Sequence, residues 1–162
     1  MNLSVVPVGH IPEDLLKSLK NHLESVGFHI TVSNELPVPE EAYNRKREQY
    51  AVRPFIRLAN TLKGYNLLIT PVDLYAPGLN FIFGYAPGPN AVISIARLRG
   101  DLLRERTIKE AVHELGHLFS LHHCPDPRCV MHFSNSLADT DYKGMKLCKR
   151  CQNLWPLKNS ND

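Results

Sequence analysis

Residues 3–8 form a short, mostly apolar run, the pattern of a strand buried within a sheet. Leucines then recur at helical spacing across residues 12–26, and Gly27 ends that predicted helix. Residues 28–33 alternate apolar and polar as a second strand does. A proline-bearing, charged stretch, residues 37–49, predicts a loop that leads into a helix running through Lys63 and closed by Gly64. Residues 67–72 read as a third strand, and residues 81–85 and 91–95 as two more, divided by the turn-rich APGPN segment. Strands separated by helices predict an α/β (α+β) fold with a mixed sheet and parallel βαβ crossovers. Further on, Ile108, Ala111, Val112, Leu115, Leu118 and Phe119 return to helical spacing, with Thr107 and Glu110 as a candidate capping box.

With 162 residues, 43% of them hydrophobic, the chain can bury one core and is read as a single domain over residues 1–162. The formal charge of +3 is mildly basic and diffuse. No aromatic-studded basic strip accompanies it, so no nucleic-acid partner is expected. No run approaches transmembrane length, so no membrane partner is expected either. The first ten residues lack the basic, apolar and small-residue succession of a secretory segment, so the expected location is cytoplasmic.

The candidate chemistry lies in the last helix. HELGH places His113 and His117 four residues apart, on one helical face and within reach of one metal ion. Alone, that pentapeptide also arises in ordinary helices. His123 follows six residues after His117, a distance that serves the same ion only if the helix ends and the chain turns back. Three neutral imidazoles leave the fourth tetrahedral position of Zn²⁺ open, as in catalytic zinc, which activates water and polarises carbonyls. Glu114, beside a ligand on the same helix, is the natural general base and acid.

HELGHLFSLHH resembles the elongated zinc motif of the metzincin metalloproteases, at His113, Glu114, His117 and His123. Met131 stands where the resemblance implies the Met-turn methionine beneath the zinc. Cys124, Cys129, Cys148 and Cys151, as CX4C followed by CX2C, narrow the resemblance to the archaemetzincins, which interleave a four-cysteine zinc site with the Met-turn. The similarity extends over residues 66–98. It implies a twisted mixed sheet with an antiparallel edge strand, packed by the active-site helix, and a small zinc-stapled C-terminal subdomain at residues 121–162 after an N-terminal part at 1–120. Two Zn²⁺ per chain follow, one catalytic and one structural. Two positions depart from the wider metzincin pattern. Ser120 replaces the usual glycine at the helix break, which leaves His122 as a competitor for the third ligand position. Phe133 stands where some members carry a zinc-ligating tyrosine.

The four cysteines also fit a tetrahedral zinc on spacing alone, with two disulfides as the rival reading that the absent secretory segment disfavours. Because Cys124 follows His123 and Met131 lies two residues past Cys129, closing the thiolate site would fix both the third imidazole and the floor of the first site. Prolines and glycines on both sides of residues 79–86 predict an edge strand. The resemblance sets that strand along the cleft, where Phe81, Ile82, Phe83 and Gly84 would pair with an extended peptide. The remaining histidines, His10, His22, His29 and His132, are assigned ordinary surface or hydrogen-bonding roles. Trp155 is an aromatic anchor before a polar, frayed tail. The expected function is zinc-dependent hydrolysis of a peptide or protein substrate. The alternative is a proteolytically inactive module whose cysteine-bound zinc organises a surface for a protein or nucleic-acid partner.

Overall fold

A computed structural model describes residues 1–158; the expected frayed tail falls largely on residues 159–162, outside the described residues. Five strands make the main sheet: β1 (Asn2–Pro7), β2 (His29–Val32), β5 (Tyr65–Thr70), β7 (Gly84–Tyr85) and β8 (Asn90–Ser94). Their order is β2-β1-β5-β8-β7, parallel throughout except for β7, which runs antiparallel to β8 at the edge. Period-two geometry explains why the central strands read as continuous apolar runs. Val5, Leu67, Ile69 and Ile93 face one core, while Val6, Leu68 and Val92 face another.

Two helices cover the first face. α1 (Glu13–Ser25) buries Leu15, Leu19 and Leu23, and α3 (Leu103–Leu118) buries Ile108, Ala111, Val112 and Leu115. α2 (Arg53–Asn60) covers the other face with Phe55 and Ala59. α3 has no side-chain cap at its N-terminus. That omission costs about 1 kcal/mol, whereas one fully buried leucine such as Leu115 contributes roughly 2 kcal/mol. Packing therefore holds α3. Two short helices, α4 (Leu137–Tyr142) and α5 (Lys149–Leu154), complete the C-terminal region. Trp155 anchors it as expected, donating Nε1–H to the Val26 carbonyl at 3.0 Å and packing against Phe28 and Phe119. Among the described residues no helix is long and apolar enough to cross a membrane.

Three expectations need correction. Residues 37–49 do not simply loop into a helix. They fold into a hairpin of β3 (Tyr43–Asn44) and β4 (Gln49–Ala51), and β4 pairs with β6 (Leu74–Tyr75) in a separate three-stranded sheet. The helix that follows is α2, which stops at Asn60. The edge strand is shorter than residues 79–86: only Gly84 and Tyr85 pair with β8, while Ile82 turns inward to bridge Leu74. The Thr107–Glu110 capping box does not form, because α3 begins one turn earlier. Thr107 Oγ1 donates instead to the Leu103 carbonyl, and Glu110 meets Thr140 and Lys143.

The break after α3 answers the question raised by Ser120. Ser120 N–H donates to the His117 carbonyl and Leu121 N–H to the Gly116 carbonyl, both at 3.0 Å, the two bonds of a Schellman termination. That motif requires a left-handed residue after the cap, and Ser120 takes it at φ 64°. The turn is thus the glycine turn, adopted by a serine at a conformational cost. Replacing Ser120 by glycine should raise stability by about 0.5–1 kcal/mol, allowing for glycine's freer unfolded chain. Denaturant titration would read this as a higher midpoint at unchanged slope; an unchanged or lower midpoint would contradict the strain.

Candidate metal centres and active site

The turn at Ser120 brings His123, not His122, beneath α3. The coordinating nitrogens of His113, His117 and His123 lie within 4.8 Å of one another, with ring centroids 4.8, 5.3 and 4.9 Å apart. His113 is buried, His117 half-buried and His123 exposed. Two backbone carbonyls fix which nitrogens face inward. His113 Nδ1–H donates to the Val130 carbonyl at 2.9 Å and His117 Nδ1–H to the Leu121 carbonyl at 2.8 Å. Each Nε2 is then an unprotonated lone pair in the neutral ring, and the two Nε2 atoms stand only 3.2 Å apart. Two acceptors facing each other repel unless a cation lies between them. Burial also holds His113 down to about 3, so its ring stays neutral at ordinary pH. The donor set therefore fits a divalent metal that takes imidazole nitrogen.

Glu114 lies on the same helix at 6% exposure and faces the cleft. Gly84 of the edge strand makes room for it: a Cβ there would stand 2.7 Å from Glu114 Cγ and 2.9 Å from Oε1. Burial pushes the Glu114 carboxyl up to about 8; neighbouring Glu110 adds to the rise and Lys143 opposes it. A dication at the imidazoles would act in the lowering direction. Met131 is fully buried directly under α3, where a Cβ on Gly116 would collide with its Sδ. The glycine inside HELGH is thus required by the methionine beneath it.

The cysteines form the second cluster. Their four sulfurs lie within 4.8 Å of one another, all as free thiols, so the disulfide reading does not hold. Cys124 and Cys148 Sγ are 3.7 Å apart, against about 3.8 Å for the edge of a tetrahedron with zinc–sulfur bonds of about 2.3 Å. Backbone N–H groups of Met131 and Cys148 point at Cys129 Sγ, at 3.5 and 3.3 Å, and Arg150 Nη2 lies 3.7 Å from Cys124 Sγ. Backbone hydrogen bonding around Cys151 draws the Cys148 thiol down to about 7, while burial pushes Cys129 and Cys151 up. The two clusters share backbone. Cys124 N–H donates to the Met131 carbonyl at 2.9 Å, and Val130, which orients His113, follows Cys129.

Sequence reasoning left Lys143 without a task and took Glu110 for a cap. The structure pairs them in the interior: Lys143 is 1% exposed, its Nζ 3.5 Å from Glu110 Oε1 and 3.1 Å from the His132 carbonyl. The pair joins α3 to the turn that carries Met131. No periodicity announces it, since each residue alone reads as solvent-facing. His132 takes a hydrogen-bonding role, as expected, donating Nδ1–H to the Cys124 carbonyl at 2.7 Å. Asp141 holds Arg106 through two bonds of 2.8 Å, and Asn135 lines the cleft. His10 and His29 remain exposed.

All of Phe81, Ile82, Phe83 and Gly84 line the cleft, a cavity of about 520 Å³ that also contains the three imidazoles, Glu110 and Glu114. Phe133 forms part of the far wall, its ring 5.0 Å from that of His123. A raised carboxyl makes metal-free folded protein bind a proton that the unfolded chain releases, so this stability is present below the ordinary value near 4.5 and is lost as pH rises toward 8. Chelator-stripped Glu114→Gln should therefore exceed stripped wild type in stability at pH about 8, with the gap closing toward pH about 4.5. Parallel melting curves at both pH values would test this; a constant gap would contradict the burial assigned to Glu114.

The model of Peptidase family M54 matches residues 11–156. The archaemetzincin of Pyrococcus furiosus is 44% identical over 169 residues, covering 91% of this chain and 88% of that one. Two crystal structures are similar. Archaemetzincin from Methanopyrus kandleri superposes with TM-score 0.86 at 42% identity, over 96% of this chain and 93% of the other. Archaemetzincin from Archaeoglobus fulgidus, complexed with malonate, gives 0.87 at 36%, over 95% and 99%. On a family match across nearly the whole length, with relatives that share both sequence and fold, the chain belongs to peptidase family M54, the archaemetzincins.

Proposed function

We propose that this zinc metallopeptidase hydrolyses peptide bonds with His113, His117 and His123 holding one zinc, Glu114 moving the proton, and Cys124, Cys129, Cys148 and Cys151 holding a second, structural zinc. The observation that carries the reading is the pair of inward Nε2 lone pairs 3.2 Å apart, with a buried carboxylate on the next residue of the same helix. When bound, zinc on three neutral imidazoles supplies an electrophile for the scissile carbonyl and makes water acidic enough to attack near neutral pH. Glu114 then accepts the proton of the attacking water and returns it to the leaving amine nitrogen. Gly84 leaves the carboxylate the space for this at the edge of the cleft. The Val130 carbonyl keeps His113 in place from below, and Met131 packs under Gly116 of the same helix. Phe133 offers no hydroxyl, so no tyrosine takes part from that position.

The substrate class is peptide or protein, laid along residues 81–84 of the cleft's lip, which begins at Leu79. Digestion of a peptide library with wild type beside Glu114→Gln, together with zinc analysis of both, tests the reading. Wild type should cleave, the glutamine variant should lose about 10²–10⁴-fold in rate, and both should carry two zinc ions per chain. Equal cleavage by the variant would remove Glu114 from the reaction. Two zinc ions with no cleavage by wild type would favour the inactive binding module instead.

A further inference from the structure

The lip of the cleft is irregular chain, yet it is held by a line of side chains from the hairpin and sheet behind it. Arg47 sits in the loop between β3 and β4 and donates Nη2–H to the carbonyls of Leu79, at 2.7 Å, and Asn80, at 3.1 Å. Its Nε–H donates to Gln49 Oε1 at 2.8 Å, and its guanidinium lies 3.9 Å over the Tyr75 ring. Gln49 is 6% exposed and uses its amide in both directions. Its Nε2 donates to the Asn80 carbonyl at 2.8 Å and to Asp73 Oδ2 at 3.1 Å. Asp73 in turn accepts two bonds from Arg97, at 2.8 and 2.9 Å, and the Arg97 guanidinium covers the Phe81 ring at 4.1 Å.

Four polar side chains thus pin three successive lip residues, Leu79 and Asn80 by their carbonyls and Phe81 by its ring. The anchoring is complementary to what the sheet provides. Past Phe81 the lip is tied by strand pairing, through the Ile82 N–H to the Leu74 carbonyl at 2.9 Å and the Ser94 N–H to the Phe83 carbonyl at 2.8 Å. Before it, residues 76–80 have one backbone bond of their own, Leu79 N–H to the Ala76 carbonyl at 3.1 Å. Without Arg47 and Gln49 the two carbonyls would have no fixed direction. None of the four side chains lines the cleft.

We propose that Arg47 and Gln49 are positioning residues for the substrate: by fixing the Leu79 and Asn80 carbonyls they hold the lip at the height and register at which an extended peptide pairs with its free edge. This rests on the peptidase reading above. An edge that must form several main-chain bonds at once loses affinity when its own backbone wanders, because ordering it is then charged to binding. The consequence falls on substrate binding and not on the chemical step, since the imidazoles and Glu114 are carried by α3 and the turn after it.

The test uses the zinc-loaded full chain and a fluorogenic peptide taken from the library digestion. Arg47→Ala and, separately, Gln49→Leu should raise KM by about tenfold or more while kcat stays within about threefold and zinc content is unchanged; Arg47→Lys, able to reach one carbonyl, should lie between. Amide exchange across residues 79–85 should accelerate in the same order. An unchanged KM in Arg47→Ala, a substitution at an exposed position, would overturn the proposal, as would a fall in kcat with KM constant. Binding of the same peptide to a Glu114→Gln background, followed by fluorescence anisotropy, reads the lip without catalysis. Weaker binding in the Arg47→Ala double variant supports the proposal even if the peptide is not hydrolysed, and equal binding sinks it independently of the peptidase reading.

Discussion

The structure turns on two hydrogen bonds that decide which face of each imidazole is free. Val130 and Leu121 take the Nδ1 protons of His113 and His117 and leave two nitrogen lone pairs opposed across 3.2 Å. Neither carbonyl belongs to α3. Both lie in the chain that returns beneath the helix after Ser120, so the helix alone, however regular, does not make the site. The return path is governed by the cysteine cluster, whose first two members, Cys124 and Cys129, lie within it, and by the Cys124–Met131 backbone bond. A zinc held by the thiolates would therefore order the carbonyl that orients His113 as well as the residue next to His123, with second-neighbour control of the kind that tunes metal affinity.

Electrostatics under the cleft follow from the same packing. Glu110 and Lys143 are both interior, and a buried charge is tolerated only with a partner of opposite sign and further hydrogen bonds. Each has them: Thr140 donates to Glu110, and the His132 carbonyl accepts from Lys143. The pair sits one turn before the HELGH segment. Its lysine opposes the rise in Glu114 that burial and Glu110 produce. Removing either partner would leave an unpaired charge behind α3, which is why the pair belongs to the site although no sequence pattern joins the two residues.

What could be read from the sequence was set by how local the cause is. The i, i+4 histidines, the cysteine spacings and the doubly buried strands β1, β5 and β8 each leave a periodic trace, and each was legible. The β3–β4 hairpin was not, because EEAYNRKREQY has the composition of a solvent-facing helix. Its shape comes from an Asn44 turn and from the long-range bonds of Arg47 and Gln49 to residues about thirty positions on. Glu110 matched a capping pattern at the wrong place, since the pattern cannot sense that α3 starts a turn earlier. Ser120 showed only that the usual glycine is missing at the helix break. The deciding information was the pair of Schellman bonds, which no single residue type reports.

The central claim is that one short segment builds two metal sites of different donor type. X-ray absorption at the zinc edge, recorded on protein purified without added metal chelators and again after selective loading, reads donor type directly. The account predicts a mixed spectrum that resolves into one zinc with four sulfur neighbours near 2.3 Å and one with nitrogen or oxygen neighbours near 2.0 Å. A spectrum containing sulfur neighbours alone at full loading, with no nitrogen-bound population, would contradict it.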